Sequence, residues 1–400
     1  MLYLRRCCPP RPCASPSRTL LLRLAALLLL LSLIPVFIVR TFPGTFAYHC
    51  LRIAAGFLGF GWCHPVVPPR TPLPPGPPPP SWANDAAFWA NFPCPRASYR
   101  VWLPEGPPPK PADTCDSLIV TAFFDIGRSQ WPFLARSSGE YLDNMKGVLA
   151  VRNPMVFFTS PDLAEGVLEA RRRHGLADRT MVVAHELQCA SQAWLLPGTE
   201  ALMCSPEATA RMWTLNPNLA VPERQEPWYN VVLYMKAGLV RAAASLPQPA
   251  LAGSWITWLD AGCHAPMCPP GLLEGRCLNP APYARRGRVR IAQAGVQSDA
   301  LAAMTPTQWT RQHVVLFAGT IFGASRQHAA ALMDGFLDTL QWMLTRGVAD
   351  YDQTVFAWWW VRAPEQFDAY SLSGNWHNIV RSYAGWDIVG EEGEYIEQKK

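Results

Sequence analysis

The chain has 400 residues, of which 16% are charged and 40 are proline. Its length points to two or three units, and that much proline puts part of the chain outside any packed core. The formal charge of +5 is uneven: residues 1–64 hold seven arginines and no acid, leaving 28 basic against 30 acidic residues in the rest. A body so balanced carries no basic footprint, so no nucleic-acid partner is expected; with 50% hydrophobic residues and 17 Trp it is not a wholly disordered chain either.

In chain order, residues 1–18 read as a cytoplasmic tail and residues 19–39 as a membrane anchor. The anchor run is apolar except for Arg23 and Ser32, and as a helix it matches the thickness of a bilayer core. Five arginines lie at or before position 23 and only Arg40 and Arg52 follow closely, so the positive-inside rule places the body across the membrane. This predicts a single-pass type II membrane protein facing the lumen of the Golgi or endoplasmic reticulum. A cleaved signal peptide competes, but no small-x-small site directly follows the run; an organelle transit peptide ranks behind both. Residues 40–113 form a membrane-proximal, Pro-rich stalk, with 17 prolines in the 47 positions of 65–111. Such a run favours polyproline II and spaces a domain from a surface.

The cysteines fit that topology. Seven of the 12 lie at position 94 or beyond, where an oxidising lumen permits bridges. Cys263, Cys268 and Cys277, with His264 nearby, do not have the spacing of a zinc ribbon. One disulfide plus a differently paired or unpaired thiol is the preferred reading.

Residues 114–400 alternate strand and helix signals. Apolar runs at 117–124, 155–159, 180–184, 255–260 and 314–317 predict strands. Helical spacing predicts helices over 131–149, 161–174, 230–244 and 327–344. The pattern predicts an α/β, Rossmann-like, mostly parallel sheet with flanking helices, whose ligands bind outside the carboxyl ends of the strands. Arg171, Arg172, Arg173 and His174 read as the solvated end of a helix. The run Trp358-Trp359-Trp360 reads as core aromatics, with stacking on sugar rings as the alternative.

Two strand ends carry polar residues. The first runs into Asp125-Ile126-Gly127-Arg128, where Asp125 and Arg128 suit the ribose or base and the phosphates of a nucleotide; the competing reading is a turn in which Asp125 caps the next helix. The second ends Trp258-Leu259-Asp260-Ala261-Gly262. Asp260 there suits a divalent cation bridging a diphosphate, or an Asx turn.

Taken with Phe157-Phe158-Thr159, the helix start from Tyr229 to Lys236, Gly319-Thr320-Ile321-Phe322-Gly323 and Asp352-Gln353, these blocks resemble the HtrL/YibB family over about residues 116–372. That family looks like glycosyltransferases of the GT-A type. The resemblance implies transfer of a sugar from a nucleotide-diphosphate donor, a UDP-sugar, to a glycan or glycoconjugate acceptor. It places Trp258-Leu259-Asp260 where such enzymes carry an Asp-x-Asp metal motif, with Trp258 in place of the first aspartate. Asp260 would hold Mn²⁺ or Mg²⁺, and His377 would join the metal shell. Asp352 would contact the acceptor or act as base, and Gln353 beside it would bind the acceptor. Two other classes stay open: a non-catalytic glycan- or partner-binding protein on a degenerate transferase fold, and a glycosidase using two of the carboxylates. No Gly-x-Ser-x-Gly, His-Glu-x-x-His, Walker or Cys-x-x-Cys motif occurs.

Overall fold

Seven consecutive buried residues, Ser117–Phe123 (β2), set the architecture. Leu118 and Val120 pack into one core while Ile119 and Phe123 pack into another, so the strand is apolar on both faces and shows no polar alternation. The computed structural model describes residues 99–105, 115–127, 137–187, 227–246, 253–263, 271–295, 316–372 and 378–386, with a few residues between and beyond. The proposed anchor at 19–39, most of the stalk, Arg128, His264 and His377 lie outside the described residues. Among the described residues no helix is long and apolar enough to cross a membrane.

The remaining strands are Arg100–Trp102 (β1), Met155–Thr159 (β3), Thr180–Ala184 (β4), Trp255–Leu259 (β5), Val289–Gln293 (β6), Phe317–Ser325 (β7) and Phe367–Ser371 (β8). They form one eight-stranded sheet in the order β1-β4-β3-β2-β5-β7-β6-β8. From β4 through β5 the pairing is parallel. Strand β7 runs antiparallel to both β5 and β6, and β1 runs antiparallel to β4. The sheet is mixed: β8 pairs in parallel with β6, so six of the eight strands run in one direction and only β1 and β7 oppose them. An apolar run buried on both faces reads the same in either direction, so its pattern does not encode orientation. Strand β1 lies inside the stretch read as stalk, yet it extends the sheet. The short pair Ile388–Val389 (β9) and Tyr395–Ile396 (β10) forms a separate antiparallel ladder.

Helices cover both faces. Ser138–Leu149 (α1), Ala164–Arg173 (α2) and Ile379–Ala384 (α6) pack on the side of Ile119, Phe157 and Val182. Pro227–Ala244 (α3), Arg326–Leu344 (α4) and Asp352–Arg362 (α5) pack on the side of Val120, Val156 and Ile256. The described part of α1 begins at a capping box: Ser137 Oγ accepts from the Glu140 N–H at 3.2 Å and Glu140 Oε2 accepts from the Ser137 N–H at 2.6 Å. The Trp358-Trp359-Trp360 run lies on α5, with Trp358 and Trp359 in the core.

Arg171 overturns one expectation. It is fully buried rather than solvated. Its guanidinium donates to Leu149 O (2.9 Å), Val151 O (2.6 Å), Asn153 O (3.0 Å) and Thr180 Oγ1 (2.7 Å). Spaced i, i+3, i+4 and i+7 with Ala164, Val167 and Leu168, it belongs to the buried stripe of α2. Arg172 and Arg173 do face outward, paired with Glu105 and Glu165 and with Glu169.

Cys115 pairs with Cys277 and Cys263 with Cys268, so of the two alternatives for the third thiol of the trio, unpaired or differently paired, the structure shows the second. Asn153 reinforces the first bridge. It donates to Ser117 O and Leu278 O and accepts from the Leu278 N–H.

Candidate functional site

Six elements, α1 among them through Tyr141, converge on a cavity of about 360 Å³ at the carboxyl ends of β2 and β5, the place where open α/β sheets bind ligands. Strand β2 runs out through Phe123 and Phe124 to Asp125. Strand β5 contributes Trp258 and, just past its end, Asp260. Strand β7 adds Gly319 and Thr320. Helix α3 presents Tyr229, Val232, Leu233 and Lys236, one face of a helix, and α5 enters through Tyr351, Asp352 and Gln353. Four residues expected from sequence, Asp125, Asp260, Asp352 and Gln353, thus line one cavity.

Lys236 is the centre that sequence reasoning missed. Its side chain is 4% exposed. Nζ donates to Asp352 Oδ2 at 2.7 Å and to Gly319 O at 3.1 Å, and it meets Asp260 Oδ1 at 2.8 Å. Burial alone pulls the ammonium down, but Asp260 and Asp352 outweigh it and hold the pKa above the usual lysine value. The signal was available in Val231-Val232-Leu233-Tyr234-Met235-Lys236-Ala237, where a lone lysine interrupts an apolar helix. An ammonium buried there needs a carboxylate partner.

Asp260 is held at one oxygen. Oδ1 accepts from Lys236 and from Trp258 Nε1 at 2.7 Å, so the residue standing in place of a first aspartate orients the second. Among the described residues Oδ2 takes no hydrogen bond, and the side chain stays 30% exposed. Burial pushes its pKa up, Lys236 opposes the rise and Asp352 adds to it. The backbone also makes the turn expected of a strand end: Asp260 N–H donates to Thr320 O and Asp260 O accepts from the Cys263 N–H, both at 2.9 Å.

Asp352 sits deeper, 4% exposed at its side chain. Oδ2 faces Lys236, and Oδ1 accepts from the Gln353 N–H at 2.9 Å. It fits only because residue 319 is glycine: a Cβ there would lie 2.3 Å from Asp352 Oδ2. The preceding turn is fixed from α3. The Tyr234 hydroxyl donates to Asp350 O and accepts from the Asp350 N–H, while Thr354 Oγ1 donates to Asp350 Oδ2 at 2.8 Å. Burial pushes the Tyr234 phenol up, keeping it a neutral donor. The Gln353 side chain lines the cavity and makes no hydrogen bond among the described residues. Asp125 accepts from the Gly127 N–H at 2.9 Å, closing a turn in which Gly127 has φ 74°; it is both a turn residue and a wall of the cavity.

Three carboxylates and one ammonium leave the described lining with a formal charge of −2. Among the described residues no three metal-ligating side chains cluster. The donor set fits a divalent cation that brings most of its ligands with it, through Asp260 Oδ2.

A profile for the family described as "Bacterial protein of unknown function (HtrL_YibB)" matches residues 115–385, which includes all six elements of the cavity. The chain is also 26% identical over 284 residues to Protein HtrL of Escherichia coli (strain K12), covering 66% of this chain and 91% of that protein.

Proposed function

The chain belongs to the HtrL_YibB family, and from that premise and the geometry of the cavity we propose that it is a GT-A-like glycosyltransferase using a nucleotide-diphosphate sugar. The observation that carries the proposal is the position of Asp260: at the end of a central parallel strand, oriented by two donors, with one oxygen open to the cavity. A diphosphate entering a lining of formal charge −2 is repelled unless a cation accompanies it. Mg²⁺-type sites often need only one or two protein carboxylates, because phosphates and water supply the rest. When bound, Mn²⁺ or Mg²⁺ would stabilise the charge that grows on the departing diphosphate.

In the reaction the bond from the anomeric carbon to the diphosphate oxygen breaks, and its electron pair leaves with the diphosphate. An acceptor oxygen bonds to the same carbon and gives up its proton to a base or to water. Asp125 stands at the nucleotide end. The Gln353 amide, with donors and an acceptor to spare, suits the acceptor. Asp352, expected as the base that reaches the acceptor, has both oxygens engaged inside the protein and suits the support of Lys236 and Gln353 better. The type II anchor at 19–39 and a Golgi or endoplasmic reticulum lumen belong to the same proposal; the two disulfides agree with an oxidising compartment.

Trp258 in place of an aspartate favours a second reading, a glycan-binding protein without turnover. Calorimetry of the full chain separates the two. The transferase reading expects UDP to bind in the presence of Mn²⁺ and glycans to bind in addition. Glycan binding with no response to UDP, with or without Mn²⁺, sinks it.

A further inference from the structure

Lys236 reaches two carboxylates from two different elements, and its contacts decide which oxygens the cavity can use. It takes Asp352 Oδ2 and shares Asp260 Oδ1 with Trp258. The second oxygen of Asp352 is bonded to the Gln353 N–H. Of these two carboxylates, only Asp260 Oδ2 has no partner among the described residues. One monodentate oxygen is a poor host for a cation that wants six or more ligands.

Resting on the transferase reading, we propose that Lys236 is a positioning residue that makes cation binding depend on the diphosphate. With Lys236 in place, Asp260 offers a divalent cation one oxygen, and phosphate oxygens and water complete the shell. Cation and diphosphate then bind as a pair, each strengthening the other by the same factor. Without Lys236, Asp260 Oδ1 keeps only the Trp258 Nε1 donor, regains a lone pair for the cation, and the cation binds unaided. The ammonium is a built-in competitor for the cation, placed 2.8 Å from Asp260. It prevents a metal from occupying the cavity ahead of the nucleotide.

The test is Mn²⁺ and UDP binding to the full chain, with free Mn²⁺ read by electron paramagnetic resonance. In the wild type, UDP is expected to tighten Mn²⁺ by at least about tenfold. Lys236→Met should bind Mn²⁺ alone at least about tenfold more tightly, but it leaves two carboxylates uncompensated and is prone to misfold. The double variant Lys236→Met/Asp352→Asn removes one charge of each sign, keeps the formal charge of the lining and leaves Asp260 Oδ1 with Trp258 as its one donor. It should show the same gain for Mn²⁺ alone, with enhancement by UDP reduced to less than about threefold. Wild-type Mn²⁺ affinity and coupling in the double variant overturn the role of Lys236 and leave the transferase reading standing. Failure of the wild type to bind UDP with Mn²⁺ overturns both.

Discussion

Gly319→Ala tests whether the packing under the cavity is as tight as the geometry implies. An added Cβ would lie 2.3 Å from Asp352 Oδ2, 2.8 Å from its Cγ and 3.0 Å from Oδ1, where ordinary contact begins at 3.4 Å. The carboxylate must retreat by about 1 Å, the shortfall in that contact, and the 2.7 Å bond to Lys236 breaks. Breaking a buried ion pair on one side costs ~3–5 kcal/mol. Lys236 keeps Asp260 and Gly319 O, so the expected loss is at the low end, about 3 kcal/mol. Urea unfolding of the full chain, followed by tryptophan fluorescence, measures it as a shift in midpoint at constant slope. The companion experiment places the same alanine in an Asp352→Ala background. There the clash is gone, and alanine for glycine in a strand should be neutral or gain a few tenths of a kcal/mol from the unfolded state. The two substitutions should therefore couple by about 2–3 kcal/mol. A loss below ~1 kcal/mol in the wild type, or the same loss in both backgrounds, would refute the reasoning.

Two further outcomes are expected. His185 is buried between Tyr99 and Phe124, and burial lowers its pKa to about 4. Its protonation is penalised only in the folded state, so stability should fall by about 3 kcal/mol as pH drops through the unfolded-state value near 6.5 towards 4. His185→Gln should remove that component of a pH series of unfolding curves, and an unchanged slope would contradict it. The two disulfides should also differ: the chain-entropy argument gives about 5 kcal/mol for Cys115–Cys277, 162 residues apart, and about 2 kcal/mol for Cys263–Cys268, 5 apart. Denaturation of Cys277→Ser and Cys263→Ser checks the order, and a larger loss at Cys263 reverses it.

What the sequence reveals follows from burial. Strands β2 to β5 are legible because parallel strands with helices on both faces are apolar throughout. Strand β7 is not, because Gly319 and Gly323 break its apolar run; they are there so that Asp352 and Tyr383 can approach the backbone. The acids at strand ends are legible from position alone. Lys236 is hidden because its partners come from residues 24 and 116 positions away in the chain (Asp260 and Asp352), and spacing within α3 does not encode them. Arg171 is misread for a different reason: three arginines in a row look solvated, although only the first falls on the apolar stripe of α2.

The bonds around Arg171 and Asn153 all lie at the amino ends of the parallel strands, together with the Cys115–Cys277 bridge. The cavity lies at the opposite end. The molecule is thus clamped at one pole and open at the other. Amides near Ser117, Asn153 and Leu278 should be among the slowest to exchange with solvent, because releasing them requires the clamp itself to open. The loops at the far pole can then be lengthened, shortened or replaced while the clamp keeps the strands in register. A frame organised in this way lets a family change what its pocket accepts and keep the same means of staying folded.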